Sequence, residues 1–251
     1  MHKLFILLFL CCCAQAEYVP KYGPAEQPFA VPLWQDRAYF QTPGHPAYDF
    51  WLAASFYTPQ FNNYSCSAAS SAMVLNSLIR RQKPSLNTDR NVTPQELADK
   101  NKNWRALVSE PGLDGNHGVT LSQLAGFIQN TFPSYLPGVA AEEREITSAD
   151  DKNLALLRKA LEENENNPND FIIIHFVQND LTAAPGDQWA HVSVIGAYDG
   201  KTRRVLVFDV DRDWYEPYWV ADGKLLSAMA EKTDAFGFGG YIKVGIVAPG
   251  K

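Results

Sequence analysis

The sequence is poor in cysteine, and the few cysteines it has are unevenly placed. Cys11, Cys12 and Cys13 lie in one apolar segment near the start, and Cys66 is the fourth and last. Beyond that first segment an internal disulfide is therefore excluded, and the fold has to rest on its hydrophobic core. A cysteine-rich metal site is excluded too, because one thiol supplies one ligand where structural zinc needs four.

Long apolar runs and basic stretches are also lacking. After residue 16 no segment is apolar enough to span a bilayer, and no basic stripe predicts a nucleic-acid partner. The net charge of −6, with 46% hydrophobic and 12% aromatic residues, is ordinary for a globular protein. The 251 residues suffice for one large domain behind a short N-terminal segment.

Residues 1–16 have the pattern of a secretory signal peptide. Lys3 supplies a basic start, an apolar core follows, and Ala14-Gln15-Ala16 is an A-x-A cleavage site. We expect cleavage after Ala16 and an exported protein, periplasmic or secreted. Lipid attachment at Cys11, Cys12 or Cys13 is the alternative, but Leu10 stands where such a site takes a small residue. Release without a stable membrane anchor is therefore predicted.

Three regions are predicted along the chain: the signal peptide at residues 1–16, a Pro- and aromatic-rich arm at 17–53, and a catalytic domain at 54–251. The arm is interpreted as an extended segment laid over the body. Within the domain, helices precede an antiparallel sheet, which predicts an α+β fold. The predicted helices are 65–81, one from 94, 121–130, 148–164 and 225–232, and the predicted strands are 171–177, 191–198, 203–210 and 241–247.

The run from Phe61 to Leu78 predicts a tight loop feeding an amphipathic helix, with Cys66 on the first turn. A helix N-terminus stabilises a thiolate, because its unpaired N–H groups and macrodipole create positive potential. An unpaired cysteine in an exported protein also needs an explanation. The prediction is that Cys66 is a nucleophile.

A thiolate nucleophile needs a base beside it. Outside the signal peptide the histidines are His45, His117, His175 and His191. His175 lies within an apolar strand, which is typical of a packed core histidine. His191 begins a strand after a loop, from where it can reach a cleft. Position alone favours His191 only modestly over His117.

The base needs a group that orients it, and the predicted hairpin between strands 191–198 and 203–210 supplies candidates. A turn at Asp199-Gly200 places Asp209 roughly opposite residue 190, so His191 and Asp209 should be cross-strand neighbours. A carboxylate there would fix the tautomer of the imidazole. Asp211 and Asp213 alternate onto the same predicted face, so any of the three can be a solvated charge at the strand end.

An oxyanion donor is predicted just before the nucleophile. Gln60 precedes Cys66 by six residues, and its amide can fold back over the helix start. Together with the backbone N–H of Cys66 it would form a pair of donors for a developing oxyanion.

These residues and their neighbours resemble the phytochelatin synthase family. The resemblance covers about residues 54–247, in the same order throughout. It is carried by Gln60 and Cys66 at their spacing, by Ala72-Met73-Val74-Leu75-Asn76-Ser77-Leu78, by Gly118-Val119-Thr120-Leu121, and by the residues from Asp209 to Val220, which match Asp-Val-x-Arg-x-x-Tyr-x-Pro-x-Trp-Val.

The resemblance, to the short bacterial type, implies a papain-like α+β fold and an enzyme acting on glutathione. In that family the cysteine attacks the amide that joins cysteine to glycine. Glycine leaves, and a γ-glutamylcysteinyl thioester remains on the enzyme. Water then releases γ-glutamylcysteine, or a second glutathione takes the acyl group and a phytochelatin begins.

The resemblance also assigns roles, and it selects one histidine. No metal-ligand set and no resident cofactor are expected. Heavy-metal ions such as Cd, Zn or Cu are expected only as activators, bound to the thiolate of the substrate, and a homodimer is compatible with the family. The implied roles are nucleophile for Cys66, base for His191, orienter for Asp209, oxyanion donor for Gln60, and substrate binding for Arg212 and Tyr215.

The chain departs from the family pattern at three places. Ser67 stands where a glycine usually follows the cysteine, and Trp189-Ala190 stands where Gly-Gly precedes the histidine. An expected Arg-Gly-aromatic element reads Gly239-Gly240-Tyr241. We expect a narrower acceptor side, so hydrolysis should dominate over transfer. A papain-like hydrolase of another thiol peptide or amide is the alternative, and a non-enzymatic metal- or thiol-binding protein is disfavoured by the missing ligand cluster.

Overall fold

The structure, a computed structural model, describes residues 20–83, 85–184 and 188–246. The predicted signal peptide, its cleavage site and Cys11 to Cys13 lie outside the described residues. Within these ranges no helix is both long and apolar enough to cross a membrane.

Helices make up most of the regular secondary structure in the first half of the described chain. Two of them begin at capping boxes, in which Thr93 pairs with Glu96 and Thr120 with Gln123, and such boxes satisfy the unpaired N–H groups of a first turn. The helices are α1 (Ala38–Gln41), α2 (Tyr48–Ala54), α3 (Cys66–Gln82), α4 (Pro94–Ala98), α5 (Lys102–Leu107), α6 (Leu121–Thr131), α7 (Asp151–Glu165), α8 (Gln178–Leu181) and α9 (Asp222–Ala230).

The strands of the described chain form one sheet in which all neighbouring strands are antiparallel. Its spatial order is β1-β6-β5-β4-β3-β7-β2, so the predicted α+β fold is confirmed. The strands are β1 (Ala30–Pro32), β2 (Val139–Glu145), β3 (Asp170–Val177), β4 (Ala190–Asp199), β5 (Arg204–Phe208), β6 (Tyr218–Ala221) and β7 (Gly240–Ile246).

Helix α3 lies in the centre of the fold. The prediction that this helix is amphipathic is wrong. Every residue from Cys66 to Leu78 is buried, because the sheet covers one side of the helix and α2 and α4 contact it elsewhere. Small residues let the helix approach the sheet closely. The Ser70 hydroxyl donates to the backbone oxygen of Val192 on β4, at 3.0 Å. The N-terminus of α3 is thereby held against the strand that carries His191.

The arm is more structured than the predicted extended segment. It contributes β1 at one edge of the sheet and the short helices α1 and α2. Glu165 at the end of α7 fastens it: one carboxylate oxygen accepts from the Tyr39 hydroxyl and from Ala47 N, and the other accepts from Tyr198 N on β4. The arm therefore packs on the sheet, as in the contact of the Tyr39 ring with that of Trp219 on β6, whose centroids are 5.5 Å apart.

A β-bulge at Gly196 determines which residues of β4 and β5 share a face. On the turn side Ala197 pairs with Leu206, whereas beyond the bulge Ile195 pairs with Val207. Side chains alternate between the two faces of a sheet. The one-residue shift therefore places each residue from Val207 onward on the face opposite to the one it would have without the bulge. Continuing the shifted register places residue 209 on the same face as residue 191. Without the bulge the two would lie on opposite faces.

Replacing Gly196 by alanine is expected to destabilise the fold. A Cβ there would lie 2.5 Å from the ring of Phe208, and overpacking of this kind costs about 1–3 kcal/mol. Urea unfolding measures the loss. Gly126→Ala is the control, since a Cβ on that helical residue meets nothing within 4 Å and should add ~0.5–1 kcal/mol of stability. Equal stability of Gly196→Ala and wild type would contradict the close packing at the bulge.

Candidate active site

Cys66 begins α3, and the loop before it leaves the helix start uncapped. Ser65 occupies the N-cap position, but its side chain makes no cap hydrogen bond. The Ser65 hydroxyl instead accepts from the backbone N–H groups of Phe61 and Asn62, at 2.9 and 3.1 Å. The N–H groups of the first turn, including that of Cys66, are therefore available to an anion, at the positive end of the helix dipole.

His191 lies beside Cys66 and is hydrogen-bonded to Asp209. The imidazole Nε2 is 2.8 Å from Asp209 Oδ1. Because a carboxylate only accepts, Nε2 carries the proton of this bond and Nδ1 is the nitrogen left for the Cys66 thiol. Asp209 is fully buried, whereas Cys66 and His191 are each 9% exposed, so these two residues are the part of the site nearest the surface.

The pKa of His191 lies well above its ordinary value. Burial opposes the charged imidazolium, but the charge of Asp209 and the hydrogen bonds that His191 makes to Asp209 and Cys66 outweigh burial. A base whose charged form is favoured in this way can take the thiol proton and keep it as an imidazolium. The arrangement can therefore hold a thiolate–imidazolium pair at the positive end of α3.

Asp209 is held by a dense set of donors. Besides His191, Oδ1 accepts from the backbone N–H of Asp211 at 3.0 Å, and Oδ2 accepts from the Tyr218 hydroxyl at 3.0 Å. The backbone oxygen of Asp209 accepts from the Tyr57 hydroxyl. Buried charges persist in proteins only when they are paired and hydrogen-bonded, and these contacts meet that condition. Sequence reasoning missed both tyrosines.

The predicted alternation of Asp209, Asp211 and Asp213 along one strand is wrong. Strand β5 ends at Phe208, and the chain turns back, with Tyr215 N donating to Asp211 O at 2.8 Å. Asp213 is exposed and Asp211 is partly buried. Because the turn leaves only Asp209 facing the imidazole, the choice among the three aspartates is decided by the end of the strand.

Gln60 lies between the end of β5 and the loop before α3. Its backbone N–H donates to Val210 O at 2.9 Å, which ties the residue to the chain directly after Asp209. Its side-chain oxygen is buried and has no hydrogen-bond partner in the described residues. Within the described residues the side-chain oxygen is thus not committed to another protein group.

The other histidines are engaged away from the thiol. His117 stacks on Tyr64 with ring centroids 4.0 Å apart, and its Nε2 is bonded to a backbone oxygen. His175 is buried, which lowers its pKa to about 4, and its Nε2 contacts Val119 O at 3.0 Å. His45 packs on the Tyr39 ring at 4.1 Å. The structure therefore brings His191, and none of these three, to Asp209.

The two residues assigned to substrate binding are placed differently. Arg212 is exposed, and its guanidinium lies 4.5 Å from the centroid of the Tyr57 ring, close to the backbone of Asp209. Tyr215 is only 8% exposed, and its hydroxyl is 3.0 Å from Thr182 Oγ1. The structure therefore does not support substrate contact by Tyr215, because the ring and hydroxyl are both used inside the core.

The departures from the family pattern differ in their surroundings. Ser67 is buried and accepts from the indole N–H of Trp104 at 3.0 Å, so it adds its bulk to the core and not to the open cleft. Trp189, which is 56% exposed, stands next to the strand of His191. A Cβ at Gly239 would lie 2.2 Å from the backbone oxygen of His175. No side chain, and hence no arginine, fits at that position.

A pocket of about 420 Å³ opens beside the nucleophile loop. It is lined by residues that include Asn116, His117, Gly118, Thr120 and Phe236, and the His117–Tyr64 stack joins it to the loop that leads into Cys66. In the described ranges no three histidine, cysteine or acidic side chains are grouped so that they could hold a metal ion.

A protein-family model matches most of the chain. The model of the phytochelatin synthase family matches residues 40–237, a range that contains Gln60, Cys66, His191, Asp209 and Arg212. Among the curated proteins none matches the chain.

Replacing His191 by glutamine is expected to slow alkylation of Cys66 by iodoacetamide at pH 6.5 by roughly 10–100-fold. The thiolate is the reactive form, and the variant lacks the imidazolium that stabilises it. The rate is followed by mass spectrometry of the peptide containing Cys66.

His117→Gln is the matched control, because it removes another histidine from the neighbourhood of the same loop without touching the thiol. Its alkylation rate should equal that of wild type. Similar rates for His191→Gln and His117→Gln would contradict the pairing of Cys66 with His191.

Proposed function

Since the chain belongs to the phytochelatin synthase family, we propose that it cleaves the Cys–Gly amide of glutathione through a γ-glutamylcysteinyl thioester on Cys66. The observation that carries the proposal is the contact of the Cys66 thiol with a His191 that is bonded to buried Asp209. This arrangement activates a nucleophile, and it stands at a helix start with free N–H donors.

The first half-reaction forms the thioester. His191 takes the thiol proton, and the Cys66 sulfur attacks the carbonyl carbon of the cysteine residue of glutathione. The Cys66 N–H and the Gln60 amide stabilise the oxyanion that develops. His191 then gives its proton to the glycine nitrogen, the C–N bond breaks, and glycine leaves with an intact amine.

The second half-reaction releases the acyl group. His191 takes a proton from water, whose oxygen attacks the thioester carbon. The C–S bond breaks, the imidazolium returns the proton to the Cys66 sulfur, and γ-glutamylcysteine departs. When the amine of a second glutathione attacks in place of water, a new peptide bond forms and the product is a phytochelatin.

Hydrolysis is proposed as the main fate of the thioester. The close packing of Gly239 against the backbone of His175 leaves no room for the basic side chain expected in the Arg-Gly-aromatic element. Trp189 adds a large exposed ring beside His191. Both features reduce the recognition of a second glutathione, whereas water needs no binding site of this kind.

Arg212 is proposed to bind a carboxylate of glutathione. Its guanidinium is stacked on Tyr57, and in the described part of the chain it forms no ion pair. A stacked guanidinium presents its N–H groups in a fixed plane, which suits a bidentate carboxylate. The ring that orients it also bonds to the backbone of Asp209, so the cation is fixed relative to the reacting atoms.

Two further parts of the proposal come from the sequence. Cd, Zn or Cu ions would act as components of the substrate, bound to the glutathione thiolate, with no resident metal needed for the steps above. Export to the periplasm or the medium rests on the signal-peptide pattern of residues 1–16.

Incubation of the purified protein with glutathione should yield equimolar glycine and γ-glutamylcysteine, detected by mass spectrometry. Phytochelatin should be a minor product, with or without added Cd. Cys66→Ala should give neither product, and His117→Gln should match wild type. Rapid quenching should show the γ-glutamylcysteinyl adduct on the peptide that contains Cys66.

The same assay with a panel of other thiol peptides decides the substrate. A strong preference for one of them over glutathione would favour a papain-like hydrolase of another amide. Equal product from wild type and Cys66→Ala would remove the nucleophile from the mechanism.

Arg212→Ala is expected to raise KM for glutathione about tenfold with little change in kcat, as loss of a charge-assisted contact to bound substrate predicts. Arg212→Lys should recover only part of the loss, because an ammonium lacks the planar fork. Arg37→Ala, at an exposed arginine of the arm, serves as the control. An unchanged KM in Arg212→Ala would exclude carboxylate binding at this residue.

A further inference from the structure

A buried chain of hydrogen bonds extends from the proposed catalytic pair into the core. Asp209 Oδ1 accepts a hydrogen bond from the His191 imidazole, and Oδ2 accepts one from the hydroxyl of Tyr218 at 3.0 Å. Tyr218 begins β6 and its side chain is fully buried. The hydroxyl in turn lies 3.5 Å from Nε2 of Gln178 on α8, which is also 3.2 Å from Thr182 Oγ1.

The direction of these bonds follows from the groups themselves. A carboxylate can only accept and an amide nitrogen can only donate. The single proton of the Tyr218 hydroxyl is therefore used on Asp209, and its oxygen accepts from Gln178. Both oxygens of Asp209 are thus held by different strands of the sheet, His191 from β4 and Tyr218 from β6.

We propose that Tyr218 is a positioning residue, which fixes the second carboxylate oxygen of Asp209 so that the first stays aimed at His191. The inference rests on the proposed function of Asp209 as orienter of the base. A carboxylate held through one oxygen alone can rotate about its Cβ–Cγ bond, and in a buried site its free oxygen would be left without the partner that a buried charge requires.

The surroundings of Asp209 leave Tyr218 as the side-chain donor to Oδ2. Asp211 contributes its backbone N–H to Oδ1, and Tyr57 bonds to the backbone oxygen of Asp209 and carries Arg212 on its ring. The remaining titratable groups nearby are the partly buried carboxyl of Asp211 and the phenols of Tyr22 and Tyr215, whose ring centroids lie 5.7 and 6.1 Å from that of Tyr218.

The acidity of Tyr218 is compatible with this role. Burial, followed by the charge of Asp209, raises the pKa of its hydroxyl well above the ordinary value. The phenol therefore remains protonated and able to donate across the pH range in which a thiol enzyme works. In the sequence, Tyr218 occupies a variable position of the aspartate block, so the motif itself does not indicate a role.

Tyr218→Phe tests the proposal, with Tyr22→Phe as the matched control. Tyr22 packs in the same aromatic cluster, but its hydroxyl makes no hydrogen bond to Asp209. The pKa of His191 is read from the NMR signal of its Cε1 proton, and kcat and KM are measured with glutathione. In Tyr218→Phe the pKa of His191 should fall by about one unit, the size expected for one hydrogen bond to a charged group.

The kinetic effect should be a roughly tenfold lower kcat with KM unchanged, because Tyr218 acts through Asp209 and does not touch the cleft. Asp209→Asn closes a double-mutant cycle: in that background Tyr218→Phe should have little further effect on the pKa of His191 or on kcat. Tyr22→Phe should leave both quantities unchanged.

A His191 pKa and kcat in Tyr218→Phe equal to those of Tyr22→Phe would overturn the proposal, as would full additivity with Asp209→Asn. If Tyr218→Phe does not fold, 3-fluorotyrosine at residue 218 replaces it. This analogue is a stronger donor to Oδ2, so the pKa of His191 should shift, and an unchanged value would count against the proposal. The NMR measurement needs no substrate, which separates this outcome from failure of glutathione turnover.

Discussion

The buried hydrogen bond between His191 and Asp209 is the contact on which the rest of the site depends. Burial by itself would favour a neutral imidazole, and the carboxylate reverses that preference. A buried carboxylate is tolerated only when its oxygens are satisfied, and here backbone and tyrosine donors satisfy them. The ability of His191 to hold a proton beside Cys66 therefore depends on buried donors to Asp209.

The fold supplies the two halves of the site from different layers. Helix α3 carries Cys66 at an uncapped N-terminus, and the sheet carries His191 on β4, with Asp209 directly after the end of the neighbouring strand β5. The bond from Ser70 to the backbone of β4 links the two layers next to the site. The bulge at Gly196 then selects the face on which Asp209 appears. Small local features of the core thus determine which side chains surround the Cys66 thiol.

Much of the architecture could be predicted, because its signals are local. Capping residues mark the starts of α4 and α6, and apolar runs mark β3, β4 and β7. Strands β1, β2 and β6 were not predicted. β2 is an edge strand with a largely polar sequence, Val-Ala-Ala-Glu-Glu-Arg-Glu, and β6 has only four residues. Such strands are stabilised by pairing with distant neighbours, which a local pattern does not show.

Within the site, too, local sequence signals allowed prediction, whereas contacts between distant side chains did not follow from them. Motif resemblance named Arg212 and Tyr215 equally, yet one is exposed on Tyr57 and the other is bonded to Thr182 in the core. The side chains that hold Asp209 were not named at all. A motif records which residue types recur along the chain, and it carries no information about which side chains meet across a sheet.

The sequence by itself determined Cys66 as the candidate nucleophile, the start of its helix, and the family resemblance that favours His191 as its base. A solitary cysteine after a loop and before a helical run is a local signal, as is a block of motif residues. Only the tertiary structure decided that Asp209 alone among the aspartates faces the base and that Tyr218 holds it. The reason is physical: neighbours across a sheet depend on register and on where each strand ends. Both are set here by a bulge and a turn whose effect is expressed only when the strands pair.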